Sequence, residues 1–407
     1  MRVEARTPLR RPSFRVAAVL LVLGIAAGVL AGIGGWQLGA DSGVYRAGAL
    51  SLLHDQPLYG PQRMSFLPDW VNLPFIYPPA AAVLFLPLAI APASLAWGLF
   101  VAASVFALYA TVRAVLRAET RAGRLRPVWL TGVAASVGLT VLLIGLEPIW
   151  KTLFLGQINI LLMALVVLDV LVVGGTGRRY GGMLIGVAAA VKLTPLIFVV
   201  HLLVVRRWAD AARAVGTFLG LQLLAFLFVP GQAAEYWTEL GGDLELVDTG
   251  DWIFNQSLEG TMLRLTAEAH WSAPVALGIG AVLAIPAVWL VRWFSTRGDQ
   301  VSALLVTGFL GLLVSPISWT HHWVWAVPLL VMLLARAHWR TAGATLLMFA
   351  SCVVMFVPNG NGVEFSWGPI EFLLGNSYVF FPVVFGAVLC VRALRKGRAE
   401  RSAQAAG

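Results

Sequence analysis

The sequence predicts an all-α, polytopic membrane protein, and three observations carry this prediction. Of the 407 residues, 59% are hydrophobic and 12% are charged, whereas a soluble globular chain has roughly 25% charged residues. The mean hydropathy is +0.82, and apolar stretches of roughly 20 residues, enough to cross a bilayer as a helix, recur along the whole chain. Arginine clusters separate many of these stretches. No soluble fold buries so much apolar sequence, so the chain is expected to be membrane domain throughout.

The placement of the basic residues predicts the orientation. The formal charge is +9, and all but five of the 29 Lys and Arg residues fall in clusters at the two ends or between apolar stretches. Cytoplasmic loops collect Lys and Arg by the positive-inside rule, so the clusters indicate the cytoplasmic side and need no nucleic-acid partner. The five remaining basic residues lie among polar motifs, where function is sought; they are Arg46, Arg63, Lys151, Lys192 and Arg264.

With the arginine clusters inside, the apolar stretches predict twelve spans in the plasma membrane and cytoplasmic termini. Residues 1–14 and 394–407 are then basic cytoplasmic tails, and residues 15–393 form one membrane domain. The first apolar run is long and lacks a clear cleavage site, so it is interpreted as a retained helix. The spans are about 15–35, 94–113, 127–146, 153–173, 182–205 as a broken pair, 213–230, 271–292, 301–315, 323–336, 340–357 and 377–393.

Three larger loops are expected on the outer, periplasmic side, at residues 36–93, 231–270 and 358–376. The first contains an apolar piece, FIYPPAAAVLFLPLAIAP. Counting this piece as a full span would move the next arginine cluster to the outer side, against the positive-inside rule. We therefore predict interfacial or re-entrant helices within residues 36–93.

Residues 182–205 have arginine-containing loops on both sides, which a single crossing cannot satisfy. Lys192 and Pro195 mark the expected break, because proline disrupts a helix. A cation at the junction of two half-helices resembles an anion site, and charges at membrane depth are costly and often functional. Phosphate is the partner expected for Lys192 and for Lys151, a second deep charge; snorkelling of Lys192 to the interface is the alternative.

Asp41 immediately follows the first predicted helix, in the sequence ADSGVY. A partly desolvated carboxylate at this place has a raised pKa and is a stronger base. Alternatively, Asp41 or Ser42 caps the helix that continues towards His54. Capping does not exclude catalysis, so both roles stay open for Asp41.

His321 and His322 stand in SPISWTHHWVW, where a helix is expected to leave the membrane on the outer face. Adjacent residues on a helix point about 100° apart, so only one of the two faces a given cavity. The pair lacks the i, i+4 spacing of a helical metal site. Such a histidine can bind a phosphate or assist proton transfer; the alternative is interfacial anchoring of this turn by Trp319, Trp323 and Trp325.

Further polar motifs on the same side supply amides, hydroxyls and aromatic faces, which sugar recognition requires, although loop capping explains many of them equally well. They are YPP from Tyr77, GQIN from Gly156 and IFNQSLEG from Ile253. The two cysteines, Cys352 and Cys390, lie in apolar runs at different depths, so neither a disulfide nor a thiolate metal site is predicted.

Seven of these motifs, in their order along the chain, resemble one family. They are Asp41-x-x-x-Tyr45, Leu58-Tyr-Gly60, Tyr77-Pro-Pro, Gly156-Gln-x-Asn159, Lys192 to Pro195, Asn255-Gln-Ser257 with Arg264, and Trp319-Thr-His-His-Trp323. The chain resembles the GT-C polytopic mannosyltransferases of glycosyltransferase family 87, the actinobacterial polyprenol-phosphate-mannose-dependent α-1,2-mannosyltransferases. The similarity extends over nearly the whole chain.

The resemblance implies a GT-C fold and inverting transfer of mannose from polyprenyl-phosphate-mannose to the 2-hydroxyl of a mannose on a phosphatidylinositol mannoside, without metal or other cofactor. It implies that Asp41 is the general base, and that His322, or in second place His321, pairs with Asp41 or contacts the leaving phosphate. The residues then expected to bind the donor are Lys192, Arg264, Tyr77, Gln157 and Asn159. Those expected to bind sugar or acceptor are Tyr45, Arg46, Asn255, Gln256 and Trp319.

Other functions stay open at this point. A flippase or transporter of a lipid-linked sugar would also have many helices and a broken span, although the polar motifs here cluster on one face and the two halves show no internal symmetry. A cell-envelope polymerase or ligase typically has an arginine-rich outer loop, whereas the outer loops here hold few arginines. Within the transferase class, a lipomannan or lipoarabinomannan acceptor, or another sugar, is the alternative. The oligomeric state is not predicted.

Overall fold

A computed structural model describes residues 11–60, 62–174, 179–240 and 250–406. Most of the predicted tail at 1–14 and part of the predicted loop at 231–270 lie outside these residues. The described chain is helical, with one isolated β-bridge between Asn255 and Trp319. The helices are α1 (Arg11–Ile33), α2 (Ala40–Leu53), α3 (Pro79–Leu84), α4 (Ala93–Arg121), α5 (Val133–Leu143), α6 (Glu147–Leu155), α7 (Asn159–Leu168), α8 (Met183–Val191), α9 (Ile197–Val204), α10 (Trp208–Phe228), α11 (Pro230–Glu235), α12 (Leu258–Thr266), α13 (Ser272–Thr296), α14 (Gln300–Val314), α15 (Ala326–Ala335), α16 (Trp339–Ala350), α17 (Pro369–Gly375) and α18 (Ser377–Ala406).

Within the described residues, five helices are long and apolar enough to cross a membrane, namely α1, α4, α10, α13 and α18. A sixth candidate is the pair α5 and α6, which is bent by 79° at the break between the two helices. Shorter apolar helices cover Asn159–Val173, Thr194–Val204, Gln300–Val314 and Thr320–Ala335. The all-helical, polytopic architecture agrees with the prediction, but the count of twelve spans is not confirmed, because turns divide several stretches that qualify by composition.

The segment between α1 and α4, predicted as an outer loop with interfacial helices, contains α2, α3 and a 3-10 helix at Leu86–Ile90. Aromatic contacts attach these short helices to α4. The ring of Tyr45 in α2 stacks on Phe85 with centroids 4.5 Å apart, and it lies 5.6 Å from the ring of Phe100 in α4. The segment is therefore packed on the helical bundle.

Helices α1 and α4 cross closely because glycines meet at their contact. A Cβ built on Gly24 would lie 2.5 Å from the carbonyl oxygen of Gly98, and one built on Gly28 would lie 2.8 Å from the carbonyl oxygen of Ser94. Small residues allow helix backbones to approach closely inside membranes. This crossing fixes the end of α1, and with it the start of α2, which carries Asp41.

Ion pairs tie helices together at the arginine-rich ends. Arg336, just after α15, bonds Glu119 of α4 at 2.7 Å and Asp299, just before α14, at 2.6 Å. Asp210 in α10 pairs with Arg207 and Arg213. These arginines belong to the clusters that the sequence assigns to the cytoplasmic side, so several of those clusters also stabilise the helix bundle.

Replacing Gly98 by Ala is expected to destabilise the protein. A Cβ on Gly98 would collide with the carbonyl oxygen of Gly24, and overpacking of this kind typically costs about 1–3 kcal/mol. Thermal unfolding of the purified protein in detergent should show a lower midpoint. Gly278→Ala in α13 is the matched control, because a Cβ there meets nothing within 4 Å. Equal midpoints for the two variants would contradict the close crossing.

Candidate active site

Five parts of the chain meet at one end of the bundle. They are the start of α2, Tyr77 before α3, the turn between α6 and α7, the break between α8 and α9, and a 3-10 helix at Thr320–Trp325 that leads into α15. Of the predicted site residues, the structure brings together Asp41, Tyr45, Tyr77, Gln157, Asn159, Lys192, His321 and His322.

A buried hydrogen-bonded cluster supports Asp41. The hydroxyl of Tyr45 donates to Gln157 Oε1 at 2.6 Å and lies 3.1 Å from the hydroxyl of Tyr77. The backbone N–H of Ile158 also donates to Gln157 Oε1, at 2.9 Å. Because two donors occupy the amide oxygen, Gln157 Nε2 is directed at Asp41 Oδ1, to which it donates at 2.9 Å.

The turn that presents Gln157 depends on glycine. Gly156 ends α6 with φ 65° and ψ 35°, in the left-handed region that residues with a Cβ rarely adopt. A Cβ at Gly156 would also lie 2.5 Å from Ser42 Oγ. The GQIN motif therefore places its amide against α2 only with glycine at its first position.

Asp41 lies in the first turn of α2 but does not cap the helix. The N-cap residue is Gly39, without a side-chain cap, and Ser42 Oγ donates to the Gly39 carbonyl at 3.0 Å. Capping by Asp41 or Ser42, the alternative considered from the sequence, is therefore wrong. Burial raises the pKa of Asp41 from about 3.8 to about 7, although the charge of Lys192 and the hydrogen bond from Gln157 lower it. The carboxyl group can thus gain or lose a proton near neutral pH.

Lys192 lies at the predicted break between α8 and α9, in extended conformation with φ −148° and ψ 134°. Its Nζ donates to Asn159 Oδ1 at 3.3 Å and lies 3.2 Å from His322 Nε2. Asn159 and Gln157 are two residues apart, so one turn contacts both Lys192 and Asp41. This geometry places a cation and a carboxylate beside the same turn without a direct ion pair between them in the described structure.

The two histidines occupy different environments. His322 is partly exposed and lines a cavity with Lys192. His321 is buried, and neither of its ring nitrogens has a hydrogen-bond partner among the described residues. Its carbonyl accepts from Thr152 Oγ1 at 2.9 Å and from Asn159 Nδ2 at 3.2 Å. His322 is therefore the histidine of the cavity, and it contacts Lys192 and not Asp41.

The cavity beside Lys192 has one polar end and apolar walls. Polar side chains at the polar end include Lys192, Asn159, His322 and Ser318. The buried hydroxyl of Ser318 has no hydrogen-bond partner in the described chain. Sequence reasoning missed Ser318, although its position in the SPISWTHH motif was a usable signal. The apolar walls include Leu162, Met163, Val166, Phe198 and Leu312.

A buried network holds the histidine turn on α6. Glu147, 1% exposed, accepts from Thr320 Oγ1 at 2.7 Å and from the hydroxyl of Tyr378 at 3.0 Å. Lys151 lies 3.5 Å from Glu147, donates to Thr320 Oγ1 at 3.0 Å, and stands 3.8 Å from the centre of the Phe254 ring. The partner of Lys151 is therefore a carboxylate, where the sequence suggested a phosphate.

Three predicted binding residues support the backbone instead of lining the cavity. Arg264 donates to the carbonyls of residues 251, 252 and 255 and to Asn376 Oδ1. Asn255 and Gln256 are fully buried, and their amides bond backbone groups of neighbouring segments. Burial lowers the pKa of Arg264 to about 9. The polar atoms of these three residues are already satisfied within the described chain, so the expectation that they bind phosphate or sugar is not supported.

The remaining predicted residues have mixed positions. Tyr45 is completely buried, and its hydroxyl bonds Gln157, the residue that donates to Asp41. Arg46 is partly buried and donates to the carbonyl of Ala91 at 2.6 Å. Trp319 is partly exposed beside the Trp252 ring, with centroids 6.1 Å apart. Of these three, Trp319 keeps an aromatic face near the histidine turn.

Comparison with known proteins gives the family. Residues 75–316, more than half of the chain, match glycosyltransferase family 87. The chain belongs to glycosyltransferase family 87. The resemblance inferred from the seven motifs is thus confirmed, and it identifies a multi-pass membrane glycosyltransferase. The matched region contains Tyr77, Gln157, Asn159 and Lys192, while Asp41 precedes it and His322 follows it.

This family 87 member has relatives in mycobacteria. It is 37% identical, over 84% of its length and 78% of the relative's, to a polyprenol-phosphate-mannose-dependent alpha-(1-2)-phosphatidylinositol pentamannoside mannosyltransferase of Mycobacterium tuberculosis. It is 35% identical to the Mycolicibacterium smegmatis protein of that name, over 79% of its own length and 76% of the relative's. A Mycobacterium tuberculosis phosphatidylinositol mannoside mannosyltransferase with the same donor in its name is 31% identical over 86% and 82% of the two chains. No solved structure matches this family 87 chain.

Glu147→Ala is expected to destabilise the protein by about 3 kcal/mol, because it leaves Lys151 without its carboxylate in a mostly buried place. Unfolding midpoints in detergent would measure the loss. Lys151→Met in the same chain should restore part of the stability by removing the unpaired charge. Glu400→Ala is the control, since its ion pair with Arg297 is exposed and should contribute about 0–1 kcal/mol. Equal losses for Glu147→Ala and Glu400→Ala would contradict the role of this network.

Proposed function

We propose that this protein transfers mannose from polyprenyl-phosphate-mannose to the 2-hydroxyl of a mannose on a phosphatidylinositol mannoside, and forms an α-1,2 linkage. The donor and acceptor classes follow the printed names of its relatives. The observation that carries the proposal in this chain is that one turn contacts both a carboxylate and a cation. Gln157 contacts the carboxylate of Asp41, and Asn159 contacts the cation Lys192.

The cavity beside Lys192 fits the phosphate end of a lipid donor. Lys192, Asn159 and Ser318 offer hydrogen-bond donors at its polar end, and His322 accepts from Lys192 there. Hydrogen bonds from a charged donor to a phosphate are roughly twice as strong as hydrogen bonds between neutral groups. The apolar walls then contact the first part of the prenyl chain. A nucleotide-binding motif is not required, because a lipid-linked donor enters from the membrane.

Asp41 serves as the general base in the proposed reaction. Its carboxylate takes the proton from the acceptor 2-hydroxyl while the hydroxyl oxygen attacks the anomeric carbon of the β-mannosyl phosphate. The bond from the anomeric carbon to the phosphate oxygen breaks, and its electron pair stays on polyprenyl phosphate. One displacement inverts β to α. Lys192 stabilises the charge that develops on the phosphate, as preorganised donors do in other transferases. His322 accepts a hydrogen bond from Lys192 and so orients its ammonium group beside the phosphate.

The proposed orientation puts this site at the outer face of the plasma membrane and both termini in the cytoplasm. It is supported by the arginine-rich ends of the helices, where Arg336, Arg207 and Arg213 lie, because such clusters favour the cytoplasmic side. Donor lipid and glycolipid acceptor are then both present in the leaflet that borders the site.

Asp41→Asn is expected to reduce transfer at least about 100-fold, because the amide cannot accept the proton. Purified protein would be incubated with polyprenyl phosphate [14C]mannose and phosphatidylinositol mannosides, and the labelled glycolipid would be followed by chromatography and digested with an α-1,2-mannosidase. Asp55→Asn, on an exposed residue at the end of α2, is the control and should stay active. Near-normal transfer by folded Asp41→Asn protein would overturn the assignment. Labelled lipomannan in place of a mannoside would change the acceptor, and donor crossing proteoliposomes without transfer would indicate a flippase.

The pH dependence of kcat/KM should follow the ionisation of Asp41. The base must be ionised, and its pKa is about 7, so kcat/KM should fall about tenfold per pH unit below pH 7 and level off above it. Lys192 lowers this pKa. Lys192→Met should therefore move the acid limb to higher pH and also raise KM for the donor. Lys396→Met, in the carboxyl-terminal tail, should leave both unchanged. An acid limb that stays at the same pH in Lys192→Met would show that Lys192 does not lower the pKa of Asp41.

We further propose that transfer proceeds without a metal ion, because Lys192 supplies positive charge, and Asn159 and Ser318 supply donors, where the phosphate would lie. Turnover should therefore be unchanged by prior treatment with EDTA and by added magnesium or manganese. Loss of activity with EDTA that returns with one of these ions would contradict the proposal.

A further inference from the structure

A second and larger cavity lies between α13, α14, α15 and α18. Its volume is about 300 Å³, which is at the lower end of the range for ligand sites. The walls are mainly apolar and include Leu290, Leu305, Phe309, Leu333 and Phe385. Such a space is large enough for part of a hydrocarbon chain and too small for a whole lipid.

Helix α14 separates this cavity from the one beside Lys192. Gly308, Gly311 and Ser315 line the cavity of the candidate active site, whereas Val306, Phe309 and Leu313 line the larger cavity. With 3.6 residues per turn, these two sets lie on different faces of the helix. The larger cavity is therefore not part of the site proposed for the donor.

One end of the larger cavity is basic. Arg336, His338, Thr341 and Arg392 line it there. The charge of Arg336 is balanced by two carboxylates. Arg392 is exposed and has no ion-pair partner in the described part of the chain. Arg392 is thus available to an anion at the surface that continues into the apolar cavity.

We propose that this cavity binds one acyl chain of an anionic phospholipid, with the lipid phosphate at Arg392. An apolar space that ends at an unpaired cation is complementary to a lipid with a negative headgroup, and basic residues near helix ends attract such lipids. Thr341 and His338 add polar groups beside the phosphate. The inference does not depend on the reaction proposed above, because it concerns a separate cavity.

Cys390 provides a reporter for this site. It lines the larger cavity and is partly buried, and the second cysteine of the chain is Cys352. In the full-length Cys352→Ser protein, a small membrane-permeant maleimide would therefore modify Cys390 alone. The rate would be measured in detergent against increasing dioleoyl phosphatidylglycerol, and separately against dioleoyl phosphatidylcholine, which has the same chains and no net charge. Phosphatidylglycerol is expected to protect at an about fivefold lower concentration.

Two pairs of variants test separately the charge of Arg392 and the space inside the larger cavity. Arg392→Gln should remove the preference for phosphatidylglycerol, whereas Arg395→Gln, three residues further along α18 and outside the cavity lining, should keep it. Ala287→Phe should fill the cavity and abolish protection by both lipids, whereas Ala281→Phe, on an exposed part of α13, should not. Equal protection by the two lipids, or an unchanged preference in Arg392→Gln, would overturn the proposal.

Two further probes, applied to the same Cys352→Ser protein, identify the occupant. Inorganic phosphate at matched concentration should not protect Cys390; protection equal to that of phosphatidylglycerol would indicate a free anion and not a lipid. Polyprenyl phosphate should compete weakly; stronger protection by it would make the cavity an extension of the donor site and overturn the inference. Native mass spectrometry of the wild-type protein with defined lipids should show one retained phosphatidylglycerol, and equal retention of phosphatidylcholine would contradict this expectation.

Discussion

The carboxamide of Gln157 is the contact that holds the candidate active site together. Asp41 and Tyr45 precede it by more than 100 residues, yet all three side chains meet through hydrogen bonds of 2.9 Å or less. The oxygen of the amide receives Tyr45 and a backbone N–H, so its nitrogen has to face Asp41. A buried amide with a fixed orientation supports the ionised form of the carboxylate, because it donates and cannot accept at that position. Loss of this contact would therefore affect the position and the basicity of Asp41 together.

Polar residues of this protein fall into two groups by what they contact. Lys192 and His322 keep exposed surface beside a cavity. Arg264 and Glu147 are buried, and they bond backbone carbonyls or other side chains that hold the outer segments in place. A buried polar group without a partner would be costly, so the second group is required by the packing of irregular segments among apolar helices. Charge and composition alone do not separate the two groups, because residues of the predicted motifs occur in both.

Much of the fold could be predicted from the sequence, since helix length and arginine placement follow from the thickness and charge preference of a membrane. The break at Lys192 was also predictable from Pro195. The short helices between α1 and α4 were predictable because a full span there would have moved the next arginine cluster to the outer side. The number of spans was not, because Glu147 and Pro148 at the start of α6 mark a break after α5, but the sequence does not show whether the two helices form one bent span or separate segments. Within the site, the clustering of Asp41, Gln157 and Lys192 agrees with the motifs. The structural role of Arg264 could not be read from its position, since its partners are three backbone carbonyls that any sequence would offer and the side chain of Asn376, 112 residues away.

The 79° bend between α5 and α6 turns α6 away from the direction of α5, and α6 ends at the turn that carries Gln157 and Asn159. That turn thereby meets the start of α2, where Asp41 lies. In the proposed reaction both substrates are lipids, so each would arrive by lateral diffusion within the membrane, a two-dimensional search in which neither headgroup has to change its depth.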